Sequence, residues 1–308
     1  MINDTLNVLC NCLTIKARST KENNKMKIKI TADRILDLPP EKLAQLDIAT
    51  MSCYINMGDK SYEDMIDVTP DDVFKFVRET GKMAQTAAKS PDSYEQFFKQ
   101  FTDKGMAVIH FAASSGISAI CSFAIEASKR LQNVYVVDTH SLSGGVALLA
   151  TYAKSLIEAG QTDVKKLYEI SMEKRDKLQT SFMIDTLEFL HKGGRCSTLQ
   201  LYAAKLLKLR PVITLEKTTG KMHTREKIIG NHKKALAQYL ENTFKKYPNP
   251  DLKDLYINHI SKDEELVKYF IEKATSYYKF ENIHVGNISC NCAVHGGPNT
   301  FGIFYFVK

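Results

Sequence analysis

The sequence has no apolar run long enough to cross a bilayer. Its longest apolar stretch, residues 146–159, is interrupted by Thr151, Tyr152, Lys154 and Ser155. A membrane-spanning helix needs about 20 predominantly apolar residues in succession, so the sequence predicts none. Hydrophobic content of 44% with 25% charged residues is typical of a globular protein, and 308 residues are enough for two domains.

Arginine-rich clusters and basic stripes interleaved with aromatic residues, which nucleic-acid grooves carry, are also missing. The formal net charge is +7, and the basic residues are spread along the chain. A solvated surface explains such a charge better than a nucleic-acid site, so no nucleic-acid partner is expected. Transient attraction to an anionic membrane surface or to an acidic partner stays open.

The seven cysteines form neither a C-x-x-C pair nor a framework typical of an extracellular protein. Several lie in apolar segments, where a thiol behaves as a small buried hydrophobe. This usage favours a reducing, cytoplasmic location. We interpret residues 1–25 as an N-terminal extension, because the weakly apolar segment 6–15 precedes its basic residues, the wrong polarity for a secretory signal.

From Met26 onward, short β-branched runs alternate with amphipathic stretches. The alternation predicts an N-terminal α/β domain with a parallel sheet over residues 26–160. Strands are predicted at 27–32, 49–56, 106–112 and 133–138, and helices at 40–46, 69–79, 92–102, 117–130 and 146–159. In such sheets, ligands bind beyond the carboxyl ends of the strands.

Residues 161–308 differ in pattern and predict a C-terminal α/β domain with a mixed or antiparallel sheet. Thr218-Thr219-Gly220 separates two apolar runs and predicts a hairpin, which requires antiparallel pairing. The predicted strands are 180–185, 210–216, 222–227, 255–260, 283–288 and 301–307, and the predicted helices are 199–207, 232–246 and 263–278.

Two loops after predicted strands carry small polar residues at the start of a helix. Residues 114–118 (SSGIS) follow the strand 106–112, and hydroxyls beside free amide groups at a helix start can bind an anion. A plain N-cap explains the same residues. Residues 139–145 end in Gly144-Gly145, but they lack a dinucleotide fingerprint and a phosphate-loop lysine. No nucleotide site and no cofactor are therefore expected.

Near the C-terminus, Cys290 and Cys292 precede His295, Gly296 and Gly297. The cysteines and the histidine are possible metal ligands, but structural zinc takes a fourth ligand and cysteine pairs of wider spacing. If the segment continues a strand, both cysteines lie on one face and form core or pocket wall. We expect no metal; the alternative is that the histidine and the glycine loop hold an anion.

An enzyme is the competing class of protein. Ser115, His295 and Asp138 supply the residue types of a nucleophile, a base and an orienting carboxylate. The chain has no G-x-S-x-G elbow, however, so a hydrolase that uses Ser115 and His295 is the weaker prediction.

Taken in order, the motifs of this chain resemble those of the DegV family. The matching positions are Asp33 with Asp37-Leu38-Pro39, Thr86 with Ser90-Pro91, residues 114–118, Asp138-Thr139 with Ser143 and Gly145, residues 187–195 (LEFLHKGGR), residues 206–213, and His295-Gly296-Gly297-Pro298. The match covers nearly everything from Met26 to Lys308. Each motif is weak alone, but the ordered set is specific.

The resemblance implies a non-catalytic, two-domain bacterial protein that holds one long-chain fatty acid between its domains. Family members of the FakB type present the fatty acid carboxylate to a separate ATP-dependent fatty acid kinase, which makes an acyl-phosphate for phospholipid synthesis. The resemblance further implies a carboxylate-binding set and a partner-docking set. These are Thr86, Ser114, Ser115, His295, Gly296 and Gly297 for the carboxylate, and Arg195 and Arg225 for docking.

The chain departs from the family pattern at several positions. Arg34 replaces a serine in the first motif, residues 87–89 (AAK) replace Ser-Gln-Pro, residues 119–120 replace Gly-Thr, and Asn299 replaces the last glycine. Ile229 stands where many members have an arginine. These changes leave a third interpretation, a regulatory protein with a degenerate lipid pocket.

Overall fold

Two large β-sheets, one small sheet and the surrounding helices make up the fold in the computed structural model, which describes residues 26–195 and 209–308. The extension predicted at 1–25 and the helix predicted at 199–207 lie outside these residues. The strands are β1 Ile28–Asp33, β2 Ile48–Met51, β3 Tyr54–Met57, β4 Lys60–Glu63, β5 Gln85–Ala87, β6 Ala107–Ala112, β7 Val134–Asp138, β8 Leu178–Met183, β9 Leu209–Leu215, β10 Met222–Ile229, β11 Asp254–Ile260, β12 Asn282–Asn287 and β13 Thr300–Phe306.

Ten α-helices occur in the described residues: α1 Pro40–Leu46, α2 Pro70–Thr80, α3 Pro91–Thr102, α4 Ile120–Ser128, α5 Gly144–Glu158, α6 Val164–Arg175, α7 Glu188–Lys192, α8 His232–Lys246, α9 Glu264–Thr275 and α10 Cys290–Gly296. None of these helices combines the length and apolarity that crossing a membrane requires.

The first sheet has four parallel strands in the order β2-β1-β6-β7, which confirms the parallel sheet predicted from strand–helix alternation. Its central strand β6 is buried along its whole length. Ile109 packs into the core beneath α5, whereas Val108 faces the core formed with α3 and α4. Helices therefore cover both faces, which explains the continuous apolar run in this strand.

The single strand predicted at 49–56 is wrong in extent, because the chain forms two strands there. β2 ends at Met51, and β3 joins β4 and β5 in a separate antiparallel sheet of order β4-β3-β5. Between β2 and β3, the Ser52 hydroxyl donates to Glu63 Oε2 at 3.0 Å. This bond joins the segment between β2 and β3 to the end of β4. The chain thus leaves the first sheet after Met51 and continues in the small sheet.

The second large sheet has the order β10-β9-β8-β13-β11-β12. Within this sheet, as far as the structure describes it, only the β11–β12 pair is parallel, so the sheet is mixed, as predicted. β9 and β10 pair antiparallel across the turn at Thr218-Thr219-Gly220, which confirms the hairpin. Helices α8 and α9 pack on one face of this sheet.

Helix α5 lies between the two large sheets. Its residues Val146 and Ala150 belong to a core that also contains Ile109 of the first sheet and Tyr256 and Phe304 of the second. The sheets therefore share one apolar layer, and the loops at the carboxyl ends of β1, β6 and β7 face the second sheet. The domain division at residue 160 stays a prediction.

Candidate functional site

A largely apolar cavity lies where those loops meet the second sheet. Apolar cavities with a few polar groups in their walls are typical of sites for small molecules. The apolar part of its wall comes from the loops, from α7 and from β8, β10 and β13: Ile35, Ile117, Leu142, Phe182, Leu190, Met222, Ile288, Gly302 and Phe304. The cavity thus lies beyond the carboxyl ends of parallel strands, where the sequence predicted a ligand.

Thr86 and His295 meet in the wall of this cavity. Thr86 is on β5, where it pairs with Ile55 of β3, so a short strand that was not predicted lies between the helices predicted at 69–79 and 92–102. Thr86 Oγ1 and His295 Nε2 are joined by a hydrogen bond of 3.1 Å across 209 residues of sequence. The structure therefore brings together two residues that the family motifs singled out.

The segment carrying His295 is a helix, α10, and the strand expected for the C-x-C pair is wrong. The carboxylate of Asp64 accepts hydrogen bonds from the backbone N–H groups of Cys290 at 2.9 Å and Asn291 at 3.2 Å. These bonds satisfy amide groups that a helix start leaves free and place negative charge there. In a helix, residues two apart face different sides, so only Cys292 lines the cavity, while Cys290 donates to the Val68 carbonyl at 3.2 Å.

Glycines hold the imidazole of His295 in position. Gly297, with φ of 75°, ends α10. A Cβ on Gly193 would lie 2.3 Å from His295 Nδ1, so only glycine allows the 193–195 loop to lie against the ring. That loop brings Arg195 to the cavity wall, where the residue remains exposed and donates from Nη1 to the Gly193 carbonyl at 2.5 Å. Gly296 also lines the cavity.

Burial, with a smaller contribution from the Arg195 guanidinium, lowers the pKa of His295 to about 4. The imidazole is therefore neutral near neutral pH. Its Nδ1 has no hydrogen-bond partner within the described residues. The described part of the wall around this pair contains hydroxyl, imidazole and guanidinium groups but no carboxylate. Such a set suits an anion, because charge-assisted hydrogen bonds are the strong ones.

The serine loop is placed differently from the expectation. Ser115 is exposed and absent from the described cavity wall, and its backbone N–H donates to Asp138 Oδ1 at 3.1 Å. Ser114 is buried, and its hydroxyl donates to the Gly220 carbonyl at 2.8 Å. The backbone N–H of Ser118 bonds back to the Ser114 carbonyl, as in a helical turn. That turn points Ser115 outward and returns Ser118 to the cavity, which it lines.

Arg225 is not available for docking, which corrects the second docking assignment. Its side chain is only 4% exposed, forms an ion pair with Glu226 and donates from Nη2 to Thr243 Oγ1 at 2.9 Å. The cause is that this part of β10 packs against α8. Its neighbour Lys227 is exposed.

Around Cys292, the described residues form neither a metal-binding cluster nor a nucleophilic site. Within 26–195 and 209–308, no group of three or more His, Cys, Asp or Glu side chains is placed to hold a metal ion. Burial raises the pKa of the Cys292 thiol, which keeps it protonated and unreactive. No hydrogen bond joins Ser115 to His295 in this part of the chain.

Sequence reasoning missed three polar residues of the described cavity wall, Asn258, Asn291 and Thr300. It gave Ser118 and Ser143, which also line the cavity, only as members of motifs and not as site residues. Asn258 had a detectable signal, since it is a polar residue inside the apolar run of β11. That signal did not point to the cavity, because the sequence does not show which face of β11 adjoins the cavity.

The fold and the site define an α/β protein with two large sheets, an apolar cavity beside them and hydrogen-bond donors in the wall of that cavity. Residues 27–308 match the family described as "Uncharacterised protein, DegV family". The chain belongs to the DegV family.

Several relatives carry a ligand in their description. A DegV family protein from Thermus thermophilus, described for its fatty acid binding, is 26% identical with a TM-score of 0.83, and the match covers 92% of this chain and 100% of that one. A Thermotoga maritima protein named fatty acid-binding protein is 27% identical over 284 residues, which is 90% of this chain and 96% of the relative. The Fatty Acid Kinase (Fak) B3 protein of Streptococcus pneumoniae, solved with linoleic acid, is 20% identical with a TM-score of 0.78 over 92% of this chain and 100% of that one, a likeness of fold alone.

Proposed function

We propose that this protein is a non-catalytic carrier that binds one long-chain fatty acid and presents its carboxylate to a separate fatty acid kinase. The observation that carries the proposal is the Thr86–His295 hydrogen bond in the wall of a largely apolar cavity. The apolar wall can pack around the acyl chain, and the hydroxyl and imidazole groups can donate hydrogen bonds to the carboxylate. The relatives from Thermus thermophilus and Thermotoga maritima, described as fatty acid binding, support it.

The donors offset the desolvation of the carboxylate. Moving an unpaired carboxylate from water into an apolar cavity costs several kcal/mol. Each hydrogen bond to a charged group returns about 1.5–3 kcal/mol. The hydroxyl of Thr86 and the neutral imidazole of His295 have one donor hydrogen each, and one of the two forms the bond between them. The pair therefore provides one such bond, and we assign a second to Ser118 in place of Ser115, because Ser118 lines the cavity.

Neither Thr86 nor His295 is arranged for catalysis. A threonine nucleophile requires a base of suitable pKa that a third group orients. With a pKa of about 4, His295 is a weak base, and its Nδ1 has no orienting partner among the described residues. This favours the carrier over the hydrolase.

The partner assignment rests on the family resemblance and on the missing nucleotide motifs. A chain without a phosphate loop needs a second protein for phosphoryl transfer from ATP. We place that partner at the cavity mouth, where Arg195 is both exposed and part of the wall. Ile229, at the position of the family's arginine, is 63% exposed, so an apolar contact replaces the charged one there. The setting proposed is bacterial phospholipid synthesis in the cytoplasm.

Binding of oleate by calorimetry tests the carrier. Thr86→Val, His295→Ala and Ser118→Ala should each weaken binding about tenfold or more, the loss of one charge-assisted hydrogen bond. Ser115→Ala, in the same loop but outside the wall, is the matched control and should bind like the wild type. Wild-type affinity in both His295→Ala and Ser118→Ala, or no binding by the wild type, would contradict the proposal.

Incubation of the purified protein with ATP, magnesium and oleate tests the partner. No acyl-phosphate should form without a fatty acid kinase, whatever the protein concentration. The control adds such a kinase, and Arg195→Ala should then slow product formation by a larger factor than it weakens oleate binding. Acyl-phosphate from this chain alone would overturn its role as a non-catalytic carrier.

A further inference from the structure

Asn258 is a buried amide in a wall that is otherwise largely apolar. It lies on β11, lines the cavity and is 2% exposed. Its Nδ2 donates to the backbone carbonyl of Asp37 at 3.2 Å. Since a carbonyl only accepts, this bond fixes the orientation of the amide and turns Oδ1 to the other side. Among the described residues, Oδ1 has no hydrogen-bond partner.

The surroundings of Oδ1 restrict where its missing donor can come from. A Cβ on Gly144 would lie 2.4 Å from Oδ1 and 2.6 Å from Phe304 Cδ2, so the start of α5 closes that side tightly. Asn258 itself lines the cavity, so the cavity is a side from which a donor can approach. Ser143, directly before α5, also lines the cavity, and its hydroxyl donates to the Asp37 carboxylate. Because its hydrogen is already donated to Asp37, the Ser143 hydroxyl can only accept a hydrogen bond from a ligand.

The cavity therefore has two polar groups of opposite character. Thr86, His295 and Arg195 supply donors, whereas Asn258 and Ser143 supply acceptors. Both groups line one cavity, so a ligand that fills it contacts both. A plain alkyl chain leaves the buried Asn258 oxygen unpaired, which is unfavourable. A leucine at this position would have avoided that loss.

We propose that Asn258, with Ser143 beside it, is an acceptor subsite for a hydroxyl group on the acyl chain, so that the preferred ligands are hydroxylated long-chain fatty acids. This inference rests on the proposed carrier function and specifies its ligand class. A hydroxyl donates its hydrogen to Asn258 Oδ1. A keto group at the same carbon only accepts and meets another acceptor. Sites built to hydrogen-bond a hydroxyl discriminate against analogues that lack it.

The test compares octadecanoic acid with hydroxyoctadecanoic acids that carry one hydroxyl near the carboxyl, at mid-chain or near the methyl end, and with the matching oxo acids. Binding is measured at about pH 8, where Asp37, whose pKa burial raises to about 7, is ionised. The acid with its hydroxyl at one of these positions should bind about tenfold more tightly than octadecanoic acid and than the matching oxo acid. This difference in affinity corresponds to about one hydrogen bond.

Two variants locate the effect. Asn258→Leu should lose the hydroxyl preference. His223→Gln changes an exposed position on β10 outside the described cavity wall and should keep the preference. If Asn258→Leu fails to fold, the hydroxyl-to-oxo ratio of the wild type still decides.

The outcomes separate this inference from the carrier proposal. Binding of octadecanoic acid with no preferred hydroxyl position overturns the subsite and leaves the carrier standing. A preference that persists in Asn258→Leu also overturns it, since the hydroxyl is then recognised elsewhere. So does a crystal structure in which a water occupies Oδ1 beside the bound hydroxy acid. Failure of every acid to bind refutes both proposals together.

Discussion

Replacing His295 should change how the stability of this protein depends on pH. Burial lowers the pKa of the folded imidazole to about 4, whereas an imidazole in an unfolded chain titrates near 6.5. The unfolded chain therefore binds a proton below about pH 6.5, and the folded protein does so only below about pH 4. The stabilising contribution is complete above about pH 6.5 and is lost as the pH falls towards 4. The full difference is about 3 kcal/mol.

Urea denaturation at about pH 7 and about pH 4.5 measures this effect in the wild type and in His295→Gln. Over that interval the wild type should lose about 2 kcal/mol more stability than the variant. Comparing the two proteins cancels all other titrating groups. Among them is Asp37, whose pKa is raised to about 7 by burial and which acts in the opposite direction, since its stabilising effect is lost as the pH rises.

His223→Gln is the matched control, because it removes an exposed histidine on β10. It should follow the wild type at both pH values. Equal losses in the wild type and in His295→Gln would refute the reasoning. The imidazole would then have the same proton affinity in the folded and unfolded chains, and burial in the cavity wall would not govern it.

Two further predictions concern the same imidazole. A fatty acid carboxylate bound beside His295 should raise the pKa of the ring, so binding at about pH 6 takes up a proton; calorimetry in two buffers of different ionisation enthalpy detects it, and His295→Gln abolishes it. Gly193→Ala places a Cβ 2.3 Å from His295 Nδ1 and should weaken oleate binding about tenfold or more. Gly194→Ala is the control, because no atom lies within 4 Å of the added Cβ, and it should leave oleate affinity unchanged. Since Gly194 has φ of 75°, the same change should lower the free energy of unfolding, measured by denaturation, by about 1 kcal/mol. Unchanged affinity in Gly193→Ala would show that the ring has room to move.

Local patterns in the sequence predicted most of the architecture. The helix predicted at 232–246 has the same bounds as α8, and the turn at Thr218-Thr219-Gly220 forms the expected hairpin. Strand–helix alternation predicted the parallel sheet. These features depend on side-chain periodicity, capping residues and turn residues that are close in sequence, so a linear reading detects them.

Predictions failed where a distant residue decides the local structure. The C-x-C segment is helical because Asp64, 226 residues earlier, satisfies the amide of Cys290. No pattern within residues 290–296 records that partner. Arg225 was assigned to docking as a substitute for the family's arginine, which is replaced here by Ile229, but packing of β10 against α8 buries its side chain.

The candidate site shows the same division. The family resemblance detected in the sequence assigned Thr86 and His295 to one carboxylate-binding set, together with Ser114, Ser115, Gly296 and Gly297. Only the tertiary structure decided which serine faces the cavity, that burial keeps the imidazole neutral, and that the Asn258 oxygen has no donor among the described residues. The physical reason is distance along the chain: Thr86 and His295 are 209 residues apart, and their side chains come within 3.1 Å only because β5 of the small sheet packs against α10.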